Sequence, residues 1–248
     1  MELTGEFGWL FAVGFVAQLV DGAIGMGYGL TASAFLATLG IPPVVASATV
    51  HAAEVATSGV SSLSHAWFRN LDRRIFLSLV LPGVAGGIIG AALLSRVPTD
   101  VIRPFVWAYL AITSILVLGR ALLRRPPIDV AAPGPTLGAT AGFLDAIGGG
   151  GWGALTTSTL IARGVPARYA IGTANAAEFF VSIAISVTFW VHLEALRLDL
   201  VVALILGGAI AAPIAAWITR HVPPRVAATG VGATALALAA GGLLRSLG

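Results

Sequence analysis

The 248-residue chain is 57% hydrophobic and only 10% charged, and its mean hydropathy is +0.94, whereas an ordinary soluble domain carries roughly 25% charged residues. Lipid is its main solvent, and a spanning helix needs roughly 20 apolar residues, so the chain accommodates about six to ten membrane segments and little else. The formal charge of +3 comes from fourteen basic residues, all of them Arg, against eleven acids, with no Cys. That excludes lysine-based covalent chemistry, disulfides and thiolate sites, and with no basic run longer than two residues it excludes a nucleic-acid face.

Met1 to Trp9 carries two Glu and no basic residue, so no cleaved signal peptide is expected and the first apolar segment belongs to the working protein. In chain order the apolar segments are 7–20, 30–39, 43–65, 75–95 and 101–119, then 136–147, 153–162, 166–191, 199–219 and 225–244. The second group repeats the first. Displaced by 124 residues, the stretch from Asp21 to Glu54 aligns without a gap on Asp145 to Glu178, with twelve identical positions in 34, among them the acids, Gly40/Gly164 and Pro42/Pro166. The chain reads as one transmembrane domain, 1–248, made of two copies of one unit, about 7–123 and about 135–244.

The first two segments of each unit are too short for a comfortable span and are divided by Gly-rich runs, 25-Gly-Met-Gly-Tyr-Gly-29 and 149-Gly-Gly-Gly-Trp-Gly-153. Such runs break helices, and non-helical backbone at membrane depth survives only where protein or a watered cavity covers it. The expected fold is all-α: a polytopic helical protein whose homologous repeats each hold a broken or re-entrant helix pair plus three spanning helices. Arg69, Arg73 and Arg74 share one loop and Arg120, Arg124 and Arg125 another two crossings on. In the second half the bias shifts to Arg163, Arg168, Arg220 and Arg225, while the 192–199 loop holds Glu194, Arg197 and Asp199. By the positive-inside rule this favours an odd number of crossings per unit, hence inverted repeats with both termini outside; four crossings per unit would give parallel repeats. His65, His192 and His221 lie at loops without metal-ligand spacing, and no metal or cofactor is expected.

Four carboxylates, Asp21, Glu54, Asp145 and Glu178, fall in or beside the apolar segments. Each costs about 2.5–3.5 kcal/mol at a helix centre when ionised, about 10 kcal/mol for the set, which something must offset or use. Either they carry protons coupled to transport, or they accept hydrogen bonds from the N–H groups freed at the Gly breaks. His51 shares a helical face with Glu54, and Asn175 with Glu178. The breaks present free N–H groups at helix starts, a setting that binds anions. Gly25, Gly27, Gly29, Gly149, Gly151 and Gly153 can form a paired anion cradle walled by Tyr28 and Trp152, or can serve close helix packing. Ionised acids repel an anion, so Thr49, His51, Thr173, Asn175 and the amides are the better direct ligands.

The two Gly runs, each followed by Gly40-Ile-Pro or Gly164-Val-Pro and then by 46-Ala-Ser-Ala-Thr-49 or 170-Ala-Ile-Gly-Thr-173, resemble the TauE/SafE family, also called the sulfonate uptake permeases, across nearly the whole chain. Tyr28 and Trp152 interrupt the glycines of the usual family pattern, and Ala34 and Ser158 stand at its proline positions. The resemblance implies a secondary transporter of small anions such as sulfite, sulfoacetate or another organosulfur anion, multi-pass in the bacterial cytoplasmic membrane, with the proton as a candidate coupling ion and homo-oligomers open. A passive anion channel shares most of these features. An intramembrane serine protease built on Ser58 is the remaining alternative, and its motif lacks the first Gly.

Overall fold

The computed structural model describes residues 3–24, 26–123, 134–193, 197–218 and 224–247. Gly25 and the topology-bearing Arg124, Arg125, Glu194, Arg220 and His221 lie outside them. The described residues form helices and connections with no strand: α1 (Leu3–Ile24), α2 (Tyr28–Thr38), α3 (Pro43–Trp67), α4 (Arg73–Leu94), α5 (Thr99–Leu122), α6 (Pro135–Gly148), α7 (Trp152–Ala162), α8 (Ala167–His192), α9 (Leu198–Ile218) and α10 (Pro224–Leu247).

Three of these, α4, α5 and α8, are both long and uniformly apolar enough to cross a bilayer, and shorter apolar stretches run through Phe7–Asp21, Leu198–Ala211 and Gly232–Leu244. The 25-residue α3 is as long but carries His51, Glu54 and a series of Ser and Thr. One expectation needs correcting. The segment ending at Asp21 is not short, because α1 starts at Leu3, takes Asp21 into its last turn and reaches 22 residues, about 33 Å at 1.5 Å per residue. By contrast α2 and α7 are 11 residues each, about half a span.

The breaks follow from glycine. Gly27, Gly150 and Gly151 adopt φ of 125°, 154° and 142°, which other residues rarely tolerate. Both short helices then end alike. Gly40 (φ 78°) and Gly164 (φ 84°) are left-handed, and the next residue's N–H returns to the helix, Ile41 to the Leu36 carbonyl at 3.2 Å and Val165 to that of Leu160 at 3.1 Å. This is a Schellman cap, and Pro42 and Pro166 then lead into α3 and α8 with nearly identical dihedrals.

Helices α4 and α6 pack together, as do α1 and α9, α5 and α10, and α3 and α8. Exchanging α1–α5 with α6–α10 maps this set of pairings onto itself. Small residues allow the close approaches: Gly142 lies on the Gly83 carbonyl, Gly138 on Leu79, Gly86 on Ala139, and across the molecule Gly14 on Leu204 and Gly207 on Phe11. A β-carbon at any of them would strike backbone, the small-residue packing expected where apolar helices gain nothing from leaving lipid. The outer faces of α4, α5 and α8 expose Leu81, Ile89, Ile112, Ile115, Phe180 and Val187, as a hydrocarbon solvent permits.

Candidate transport site

Each broken helix pair is tied by its own aspartate. Asp145, in the last turn of α6, reaches across the break, and its Oδ1 accepts the Trp152 N–H at 2.8 Å. Asp21 does the same in the first half, accepting the Tyr28 N–H at 3.4 Å. The seven-residue spacing brings the carboxylate to the start of the next helix, where the first N–H groups lack intrahelical partners and the helix dipole favours negative charge. These two acids therefore perform the capping that the sequence offered as one of their two roles.

The two breaks meet. A β-carbon on Gly29 would lie 2.6 Å from both the Gly150 Cα and Glu54 Oε1, so only bare glycine backbone fits at the crossing. Ser33 of α2 donates its hydroxyl to the Gly149 carbonyl, and Ser47 of α3 donates to the Ala146 carbonyl at 2.6 Å. The first half thus grips the second at its break.

His51 sits at this crossing, fully buried. Its Nδ1 lies 2.8 Å from the Ser47 carbonyl and 3.3 Å from the Ser47 hydroxyl. Its Nε2 lies 3.1 Å from Asp145 Oδ2 and 3.9 Å from Glu54 Oε2. A lone pair on Nε2 facing two carboxylates would be repulsive. The Nε2–Oδ2 contact is of hydrogen-bond length, and such a bond holds its hydrogen on either the imidazole or the carboxyl. The ligand atoms of His51, Glu54 and Asp145 all fall within 4.8 Å of one another, and Glu54 Oε2 has no hydrogen-bond partner despite its burial. Glu54 also feels the charges of Glu178 and Asp21, and Glu178 those of Asp21 and Asp145, so the four acids form one electrostatic cluster.

The halves differ from here on. Asn175, the counterpart of His51, is turned to α3 and donates to Ser61 Oγ at 2.8 Å. Thr173 accepts the N–H of Asp72 at 2.9 Å, pinning the α3–α4 connection, while its counterpart Thr49 is buried with its hydroxyl unpartnered. The rings flanking the breaks pack outwards: Tyr28 donates to the Leu204 carbonyl of α9 at 3.3 Å, and Trp152 donates through Nε1 to Ala174 at 3.0 Å with its ring beside Gly83 of α4. Of the residues singled out in the sequence, His51, Glu54, Asp145, Gly29 and Gly149 are brought together, and Gly151 lies against Tyr109. Gly27, with Tyr28, and Gly153, with Trp152, flank the crossing at the starts of α2 and α7, and Thr173 and Asn175 are engaged in helix contacts. Ser33, Ser47 and Tyr109 were passed over; Tyr109, one of three tyrosines and set mid-helix in an apolar segment, was the visible signal.

Residues 10–241 match the family described as sulfite exporter TauE/SafE. A probable membrane transporter protein, YtnM of Bacillus subtilis (strain 168), is 40% identical over 230 residues, covering 89% of this chain and 77% of its own. A shorter match, 32% identical over 107 residues and covering 42% of this chain and 41% of the other, is to the probable membrane transporter protein ORF9 of a Sinorhizobium species. No solved structure matches. The matched region contains both glycine breaks, the acids Asp21, Glu54, Asp145 and Glu178, and His51, and the chain belongs to the TauE/SafE family of membrane transporters.

Proposed function

We propose that the chain is a proton-coupled secondary transporter of small sulfur-containing anions, such as sulfite, sulfoacetate or another organosulfonate, in the bacterial cytoplasmic membrane. The observation that carries this reading is the buried contact of His51 Nε2 with Asp145 Oδ2 at 3.1 Å, at the point where the two glycine breaks touch. Asp145 also caps α7, so a proton gained or lost at this contact would act directly on the geometry of the break. A titrating group that is also a structural tie is what couples proton movement to a conformational step.

The substrate binds at the crossing, to amides around Gly27, Gly29, Gly149, Gly151 and Gly153, with Thr49 and His51 as side-chain donors. Tyr28 and Trp152 shape its outer edge. Thr173 and Asn175 support the helices that hold it, Asp21 and Asp145 cap the short helices, and Glu54 and Glu178 complete the acidic cluster. The halves enter the membrane inverted, with the breaks near its midplane, the arrangement of many secondary transporters.

The test is flux in proteoliposomes. Sulfite or sulfoacetate accumulated uphill under an imposed pH gradient, and lost in Glu54→Gln, supports coupled transport. Downhill flux that a pH gradient never makes concentrative would establish the channel reading instead.

A further inference from the structure

We infer that the hydroxyl of Tyr109 is a direct substrate ligand, donating a hydrogen bond to an oxyanion held at the start of α7. The inference rests on the transport reading above and names a residue and a chemistry that reading does not contain.

Tyr109 stands at mid-length in α5 and lays its ring against Gly148, with its hydroxyl against Gly151, the residue that caps α7; a β-carbon at either glycine would collide with it. The hydroxyl oxygen is cut off from solvent and makes no hydrogen bond of normal length, although the Thr113 hydroxyl lies near enough to interact with it. Leaving a buried phenol unbonded costs on the order of 1–3 kcal/mol, so its position calls for a partner.

The neighbouring backbone points to an anion. In the first turn of α7, the Trp152 N–H is held by Asp145 and the Leu155 N–H by the Gly151 carbonyl at 2.9 Å. The Gly153 and Ala154 N–H groups between them lack an intrahelical acceptor and project toward the helix start. The Tyr109 hydroxyl, set against the cap residue Gly151, thus stands beside the positive end of a helix dipole. Arg120, further along α5, donates to the Ala154 carbonyl at 3.1 Å and adds positive potential to the same turn.

The opposing charges are Asp145 and Glu54, both felt by the Tyr109 hydroxyl. Asp145 is engaged by His51 Nε2, and Glu54 Oε2, buried without a hydrogen bond and 3.9 Å from the same nitrogen, lies at the same crossing. The site is one-sided. Counting from Val97-Pro98 and Val222-Pro223, the residue of α10 that corresponds to Tyr109 is Thr234, which is exposed.

The experiment measures sulfite, thiosulfate and sulfoacetate uptake into proteoliposomes with Tyr109→Phe, with 3-fluorotyrosine at 109, and with Thr234→Val. Loss of a hydrogen bond to a charged acceptor predicts a KM raised about 10- to 100-fold in Tyr109→Phe, with the maximal rate within about twofold of the parent protein. The more acidic 3-fluorotyrosine lowers KM, and Thr234→Val changes nothing. A structural role would lower the maximal rate or the melting temperature without this split. If the parent protein transports and both Tyr109 variants keep its KM, the ligand role is overturned and the transport reading stands. If the parent neither binds nor moves any of the three anions, both fall.

Discussion

Substituting Gly150 by Ala is the sharpest test of the claim that the two glycine breaks press together. Gly150 has φ of 154°, a region that costs an ordinary residue about 1–3 kcal/mol. The new β-carbon would lie 2.5 Å from the Gly29 Cα and the Leu30 nitrogen. These atoms are backbone from another half of the chain and cannot swing aside as a side chain would. Forcing the breaks apart adds an overpacking cost of about 1–3 kcal/mol. The sum, about 2–6 kcal/mol, corresponds to a fall in melting temperature on the order of 10 °C for a chain of this size. The assay is thermal unfolding of the detergent-solubilised protein, with Gly119→Ala as control, since Gly119 is helical and a β-carbon there meets nothing within 4 Å. The control should match or slightly exceed the parent protein. A Gly150→Ala protein melting within about 1 °C of the parent would refute the contact.

Asp145→Asn keeps an oxygen for the Trp152 N–H and offers His51 a neutral N–H, so it should fold normally yet lose accumulation driven by a pH gradient. Asp145→Ala strands the Trp152 N–H and should cost about 1–3 kcal/mol in a denaturation midpoint; Asn behaving like the parent in flux would sink the shared-proton reading. His51→Asn should flatten the pH profile of transport, whereas Asn175→His should leave it, because Asn175 is turned to Ser61 while His51 meets Asp145; equal effects of the two changes would contradict the asymmetry. Thr173→Val removes the acceptor for the Asp72 N–H and should lower stability by about 1 kcal/mol while leaving the KM for sulfite unchanged, a result checked by pairing a melt with a flux titration.

Much of the frame was legible in the sequence because it depends on local chemistry. Hydropathy assigned the solvent, the glycine runs marked where helices stop, and Gly40-Ile-Pro and Gly164-Val-Pro became matching caps because left-handed glycine followed by proline needs no distant partner. The seven-residue reach from Asp21 to Tyr28 and from Asp145 to Trp152 is local as well, and both copies make it. The start of α1 was placed too late because Leu3 to Glu6 is polar enough to fall outside the apolar segment while remaining compatible with helix.

What tertiary structure alone decided is which copy of each repeated residue meets which partner. His51 finds Asp145 in the other half, and Asn175, at the equivalent place, finds Ser61. Thr173 holds a loop while Thr49 is left unpartnered, and Tyr109, without an aromatic counterpart in α10, enters the second break alone. A repeat in the sequence gives two copies the same local geometry. Contacts between the copies depend on side chains that differ across the interface, and packing settles those only when both halves are in place.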